Sequence, residues 1–231
     1  MVRGLDLFRE RFKDFEDRYV LVGDAAVFVA MEAAGIEFRV TKNLEIVLRV
    51  ESLDAPFAKA LSAFVGEGDY GVKEKGGGGP KFYKFCEPAD ARYPSTIEVF
   101  SRMPDPIQPP IDYGFVQDGI HVVEGLSVLT PEYLLPLKAR AWIDLEERYD
   151  RGEYVSPDDI RKHRNDVIRL SQLISPADRV ALPKPIRANL SDFVGRGLND
   201  GPEPKTIGVI GMTLDDVQSL LGAVYGIDKS P

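Results

Sequence analysis

The chain has 231 residues, 44% of them hydrophobic and 10% aromatic, enough for one large core or two modest ones, and two compact units are the expectation. Its 29 lysines and arginines against 37 aspartates and glutamates leave a net charge of −8, which excludes a global basic field drawing it to nucleic acid or anionic membranes. A single cysteine, Cys86, excludes an internal disulfide, and with two histidines it argues against a structural zinc site.

The N-terminal stretch MVRGLDLFRERFKDFEDR is charged throughout, and no apolar run approaches the ~20 residues that span a bilayer, so a soluble cytoplasmic protein without membrane contact is expected. Leu5, Phe8, Phe12 and Phe15 recur at helical spacing and predict an amphipathic helix over 5–17. In YVLVGDAAVFVAMEAAGIEF, residues 19–22 read as a strand, Gly23 as a turn, 25–34 as an alanine-rich helix and Gly35 as its stop. TKNLEIVLRV (41–50) is the next strand. A short helix over 54–65 follows, then a hairpin tipped by the glycines at 76–79. PSTIEVFSR is a third strand, and MPDPIQPPIDYG a connector too rich in proline to be helical.

GIHVVEGLSVLT opens with a short strand and leads through Thr130 as N-cap and Pro131 as first residue into a long helix. Ser156 and Pro157 start a second helix, with Asp158 and Asp159 at the positive end of its dipole, and two more are expected over 184–196 and 213–225. The expected class is therefore α+β: a mixed-sheet domain over 1–125, then a helical bundle over 126–231.

Chemistry enters on the strand at 41–50. Side chains two apart share a face, so Asn43, Glu45 and Val47 point one way and Leu44, Ile46 and Leu48 the other. Thr96, Glu98 and Phe100 likewise share a face, and if the two strands are neighbours, Glu45 and Glu98 can converge. Carboxylates brought together in a half-buried place repel unless a cation lies between them, and magnesium, with its oxygen ligands, fits. The alternative is a solvated sheet face. The Gly23 turn presents free amides and a helix dipole to an anion, and Asp24 there is either a helix cap or a member of the same acidic cluster. Lys138 falls in the apolar stripe of Leu134, Leu135, Ala141, Trp142 and Leu145; it either snorkels past Trp142 or reaches across a cleft to a polyphosphate or carboxylate. Asp166, at the edge of the next helix's stripe, can anchor Lys138 or an arginine. His163 lies on that stripe as a packing residue. Lys81 and Lys84 either meet phosphates or are solvated hairpin charges.

Taken in order, these pieces resemble the AbiEii-type abortive-infection toxin nucleotidyltransferases, a branch of the polymerase-β-like nucleotidyltransferase superfamily. VLVGDAAVFVAMEAAG is similar to the strand, glycine turn and helix of that fold. TKNLEIVL resembles its T-x-D-x-D strand, TIEVFS the strand with the third carboxylate, and LKARAW with KHRNDVIRL the helical K-x-x-A … K-D-x-x-D block. The resemblance spans about residues 18 to 175. It implies two magnesium ions on Asn43, Glu45 and Glu98, a triphosphate cradled by Gly23 and Asp24, and Lys138 and Asp166 completing the site. It further implies a nucleoside triphosphate as substrate, RNA or protein as acceptor, and an antitoxin protein as candidate partner. Three positions depart from the family pattern: Asn43 and Glu45 stand where it has aspartates, and Asp24 where it has a small residue. Either Asp24 compensates as a relocated metal acid, or the fold has lost catalysis and persists as a binding module.

Overall fold

The computed structural model describes residues 2–49, 55–75, 82–100 and 113–227. The glycine run at 76–79, Lys81 and most of the proline-rich connector lie outside them. The chain divides into two compact units, Met1–Thr130 and Pro131–Pro231.

The first unit runs α1 (Leu5–Phe12), β1 (Tyr19–Val22), α2 (Gly23–Ala33), β2 (Asn43–Leu48), α3 (Ala55–Glu67), β3 (Gly71–Lys75), β4 (Phe82–Cys86), β5 (Thr96–Phe100), α4 (Tyr113–Asp118), β6 (Ile120–Val123) and β7 (Leu126–Leu129). The strands form one seven-stranded mixed sheet in the order β3-β4-β5-β2-β1-β7-β6. β1 runs parallel to β7 and β2 parallel to β5, while the remaining neighbours are antiparallel. The interior strand β1 is buried along its whole length, whereas β5 alternates, with Ile97 and Val99 buried and Thr96, Glu98 and Phe100 half-buried. Tyr19 on β1 anchors an aromatic cluster with Phe8 and Phe12 of α1 and Phe57 of α3, at ring distances of 5.3, 6.3 and 6.5 Å.

Local chemistry explains the helix ends. α2 closes in a Schellman motif, with Gly35 at φ 71°, its N–H donating to the Glu32 carbonyl and the Ile36 N–H to that of Met31. α1 stops at Phe12, short of the expected residue 17, because two turns closed by Phe15 N–H to Phe12 O and Arg18 N–H to Phe15 O swing the chain into β1.

Two elements were not expected. α4 begins at Tyr113, within the stretch expected to be non-helical. The single short strand expected after Gly119 is a hairpin of β6 and β7, closed by Glu124 and Gly125 at φ 49° and 75°. Because β7 is hydrogen-bonded to β1 in the sheet, with Leu21 opposite Val128, residues 126–129 belong to the first unit. The division falls after Thr130, five residues beyond the expected 125.

The second unit is helical as expected: α5 (Pro131–Asp150), α6 (Pro157–Leu170), α7 (Lys184–Arg196) and α8 (Leu214–Tyr225), with short 3-10 turns at Ser171–Leu173 and Pro204–Ile207. α5 packs on α6 and α7, and the Trp142 ring meets Phe193 edge-on at 5.3 Å. The buried stripe of α5 carries Ala139 and Ile143 rather than Ala141 and Leu145. Thr213 opens α8 with a reciprocal capping box to Asp216. Among the described residues no helix is long and apolar enough to cross a membrane.

Candidate active site

β2 and β5 are adjacent, and Glu45 lies directly opposite Glu98. Neighbouring strands lie ~4.8 Å apart, and residues paired across them share a face, so the two carboxyl groups occupy one surface of the sheet. The same row continues outward to Lys84 on β4 and inward to Val22 on β1. Leu44, Ile46 and Leu48 are buried on the opposite face, and Val47 is buried beyond the acids. Asn43, one step nearer the strand's start, is exposed.

Val22 leads straight into Gly23, the first residue of α2, at φ 60°. A Cβ on Gly23 would overlap the Glu45 carboxyl group. The strand–glycine–helix turn therefore brings the N-terminus of α2 against Glu45, and a helix N-terminus favours such an anion. Glycine is required here twice over, by the left-handed backbone and by the space that Glu45 fills.

Asp24, next in the chain, is turned to a different partner. Its carboxylate is buried, with its side chain 8% exposed, and receives two hydrogen bonds from the Arg39 guanidinium at 2.9 and 3.2 Å. This fork-on-carboxylate pairing satisfies a charge that burial would otherwise make costly. Glu98 is also paired, with Lys84 Nζ at 2.6 Å from its Oε1.

In the second unit, Lys138 and Asp166 are brought together at 3.1 Å. Both are almost fully buried, and Arg169 approaches the other carboxylate oxygen of Asp166 at 3.7 Å. Lys138 thus neither snorkels to water nor lies in an apolar void; its ammonium joins α5 to α6 through Asp166.

Of the residues expected in the site, Gly23, Glu45 and Glu98 come together on the sheet, with Asn43 beside them. Asp24 faces Arg39, and Lys138 and Asp166 face each other. Arg39 was missed. The signal for it lay in Asp24 itself, since a carboxylate inside an apolar strand–helix stretch needs a cation. Lys84 was weighed only against phosphates or water.

Among the described residues no group of three or more histidine, cysteine, aspartate or glutamate side chains could hold a metal. Two carboxylates are nevertheless enough for one magnesium completed by waters and phosphate oxygens. Glu45 and Glu98, opposite each other on β2 and β5, are the residues that would hold such an ion.

The sequence matches no family model and no curated protein. The structure is similar to that of an antigenic nucleotidyltransferase-like protein from Paracoccidioides brasiliensis, 16% identical, with a TM-score of 0.54 and 95% of this chain and 90% of that one covered. It is also similar to JHP933 from Helicobacter pylori, 16% identical, with a TM-score of 0.48 over 95% of this chain and 87% of that one. The first likeness establishes the fold as nucleotidyltransferase-like, an α+β chain with a mixed sheet followed by helices.

Proposed function

We propose that this chain is a nucleotidyltransferase, acting on a nucleoside triphosphate that arrives with one magnesium ion at Glu45 and Glu98. The observation that carries the reading is the pairing of these two acids across β2 and β5, with Glu45 against the first turn of α2, in a fold of this class. When bound, the ion would draw charge off the phosphate oxygens as the nucleotidyl bond is exchanged. The chain's own part is positional. Glu45 would hold the ion beside the start of α2, whose amides would receive the phosphates. Asp24 stays with Arg39, so its charge is neutralised beside the incoming triphosphate. Lys138 and Asp166, which the family resemblance makes catalytic, are assigned to holding α5 on α6. An RNA or protein acceptor, membership of the AbiEii branch, a role as the toxin of a toxin–antitoxin or abortive-infection system, and an antitoxin partner belong to the same proposal.

The test is transfer of label from an α-labelled nucleoside triphosphate to RNA or protein in a cell extract, with the parent and Glu98→Gln compared. Label transfer by the parent and its loss in the variant support the reading. Equal transfer by both removes the site from Glu98. A second reading, a binding module without turnover, is favoured by the exposed Asn43 in place of the first acid and by the lysine on Glu98. Metal-dependent nucleotide binding without label transfer would select it.

A further inference from the structure

Two ion pairs at this end of the sheet differ in kind. Asp24 and Arg39 form a forked pair with a carboxylate 8% exposed. Lys84 and Glu98 make one contact at 2.6 Å, with side chains 40% and 21% exposed. The first is fixed by geometry and burial. The second holds a flexible four-carbon stem whose ammonium can turn into water at small cost.

An ammonium on Glu98 and a divalent cation shared by Glu98 and Glu45 compete for the same oxygen charge, and they repel each other if both remain. Register makes the competition unavoidable: Lys84, Glu98 and Glu45 are successive members of one row across β4, β5 and β2, on one face. We propose that Lys84 is an internal counter-ion that occupies Glu98 in place of a metal, and that its release sets the concentration at which a divalent ion enters the Glu45–Glu98 pair. This rests on the assignment of those two acids as the metal-holding pair, but not on turnover. Lys84 is thereby a positioning residue, one that keeps the acid row neutralised and ordered until a divalent ion displaces it.

The experiment is Mn2+ binding to the full chain without nucleotide, followed by the electron paramagnetic resonance of free Mn2+. The proteins compared are the parent, Lys84→Gln, Lys84→Ser, Lys84→Arg, and Lys84→Gln combined with Glu98→Gln. Removing the competing charge should tighten Mn2+ binding by about tenfold or more in the Gln and Ser variants. Lys84→Arg, which keeps the cation, should bind as the parent does, and adding Glu98→Gln should abolish the gain. Two side chains at position 84 keep the test usable if one of them misfolds. The proposal is overturned if neither neutral variant binds Mn2+ more tightly than the parent, or if the gain survives Glu98→Gln. A gain in Mn2+ affinity in a chain that transfers no label would leave this inference standing and remove only the transferase reading.

Discussion

The hydroxyl of Tyr225 in α8 donates to the Glu132 carbonyl in α5 at 2.7 Å, and that carbonyl is the acceptor which Pro136, four residues on, has no N–H to bond. The proline inside α5 is tolerated because a buried phenol from another helix takes over the missing bond. Tyr225→Phe should therefore strand the carbonyl and cost about 1–3 kcal/mol in urea unfolding. In a Pro136→Ala background the restored amide meets Glu132, and the same change should cost clearly less. An equal cost in both backgrounds would break the link. Burial holds the Tyr225 phenol well above its ordinary 10.0. A raised folded-state value means that the stabilisation is complete below pH 10 and is lost as pH rises through the folded value. Parent stability should accordingly fall more steeply above pH 10 than that of Tyr225→Phe.

Lys138 and Asp166 form a pair buried between α5 and α6. Removing one partner of such a pair costs about 3–5 kcal/mol, whereas replacing both by apolar groups of similar volume is often neutral. Lys138→Met should lower the unfolding midpoint sharply, and Lys138→Met with Asp166→Leu should recover most of the loss. If the double variant is stable and still transfers label, the pair is structural. Loss of transfer in a stable double variant would return Lys138 to the catalytic set.

Gly23 combines a φ of 60° with the Glu45 carboxyl group against its Cα. Gly23→Ala meets both obstacles, and a strained left-handed backbone alone costs about 1–3 kcal/mol. Pairing it with Glu45→Ala clears the overlap but leaves the backbone strain, so thermal melting should show partial rescue. Complete rescue would mean that the overlap alone sets the requirement for glycine, and none would mean that Glu45 yields without cost.

How far the sequence spoke depended on the range of each interaction. Strand phase put Glu45 and Glu98 on like-facing positions, and the strand–Gly23–helix turn was readable from local residue types. Caps such as Thr213, and the proline starts at Pro131 and Pro157, were readable for the same reason. The β6–β7 hairpin was not, because its turn carries Glu124 at positive φ where asparagine or aspartate would be the usual signal. The partners of the acids were not readable either. Lys84 meets Glu98 through the β4–β5 register, fourteen residues away, and no periodicity announces which lysine of a hairpin that register will choose. Lys138 in an apolar stripe left snorkelling or a reach to a polyphosphate or carboxylate open, with Asp166 readable as an anchor for it or for an arginine, and the packing of α6 on α5 joins the two.

The last prediction concerns nucleotide binding in the absence of metal. Asp24, Glu45 and Glu98 lie near the α2 turn, and the Glu45 carboxyl group fills the space beside Gly23. A triphosphate brought to Gly23 without a metal would therefore meet the Glu45 carboxylate, and a like-charged pair ~4 Å apart costs about 4 kcal/mol at an effective dielectric near 20. One magnesium ion between Glu45 and the phosphates reverses the sign of that contact. Calorimetric titration with a nucleoside triphosphate should give heat of binding only with magnesium present, and Glu45→Gln should weaken binding with the metal far more than without it. Tight binding in chelator would mean that the phosphates rest on Arg39 and Lys84 instead, with Asp24 and Glu98 giving up their partners, and the single-ion reading of the site would fall.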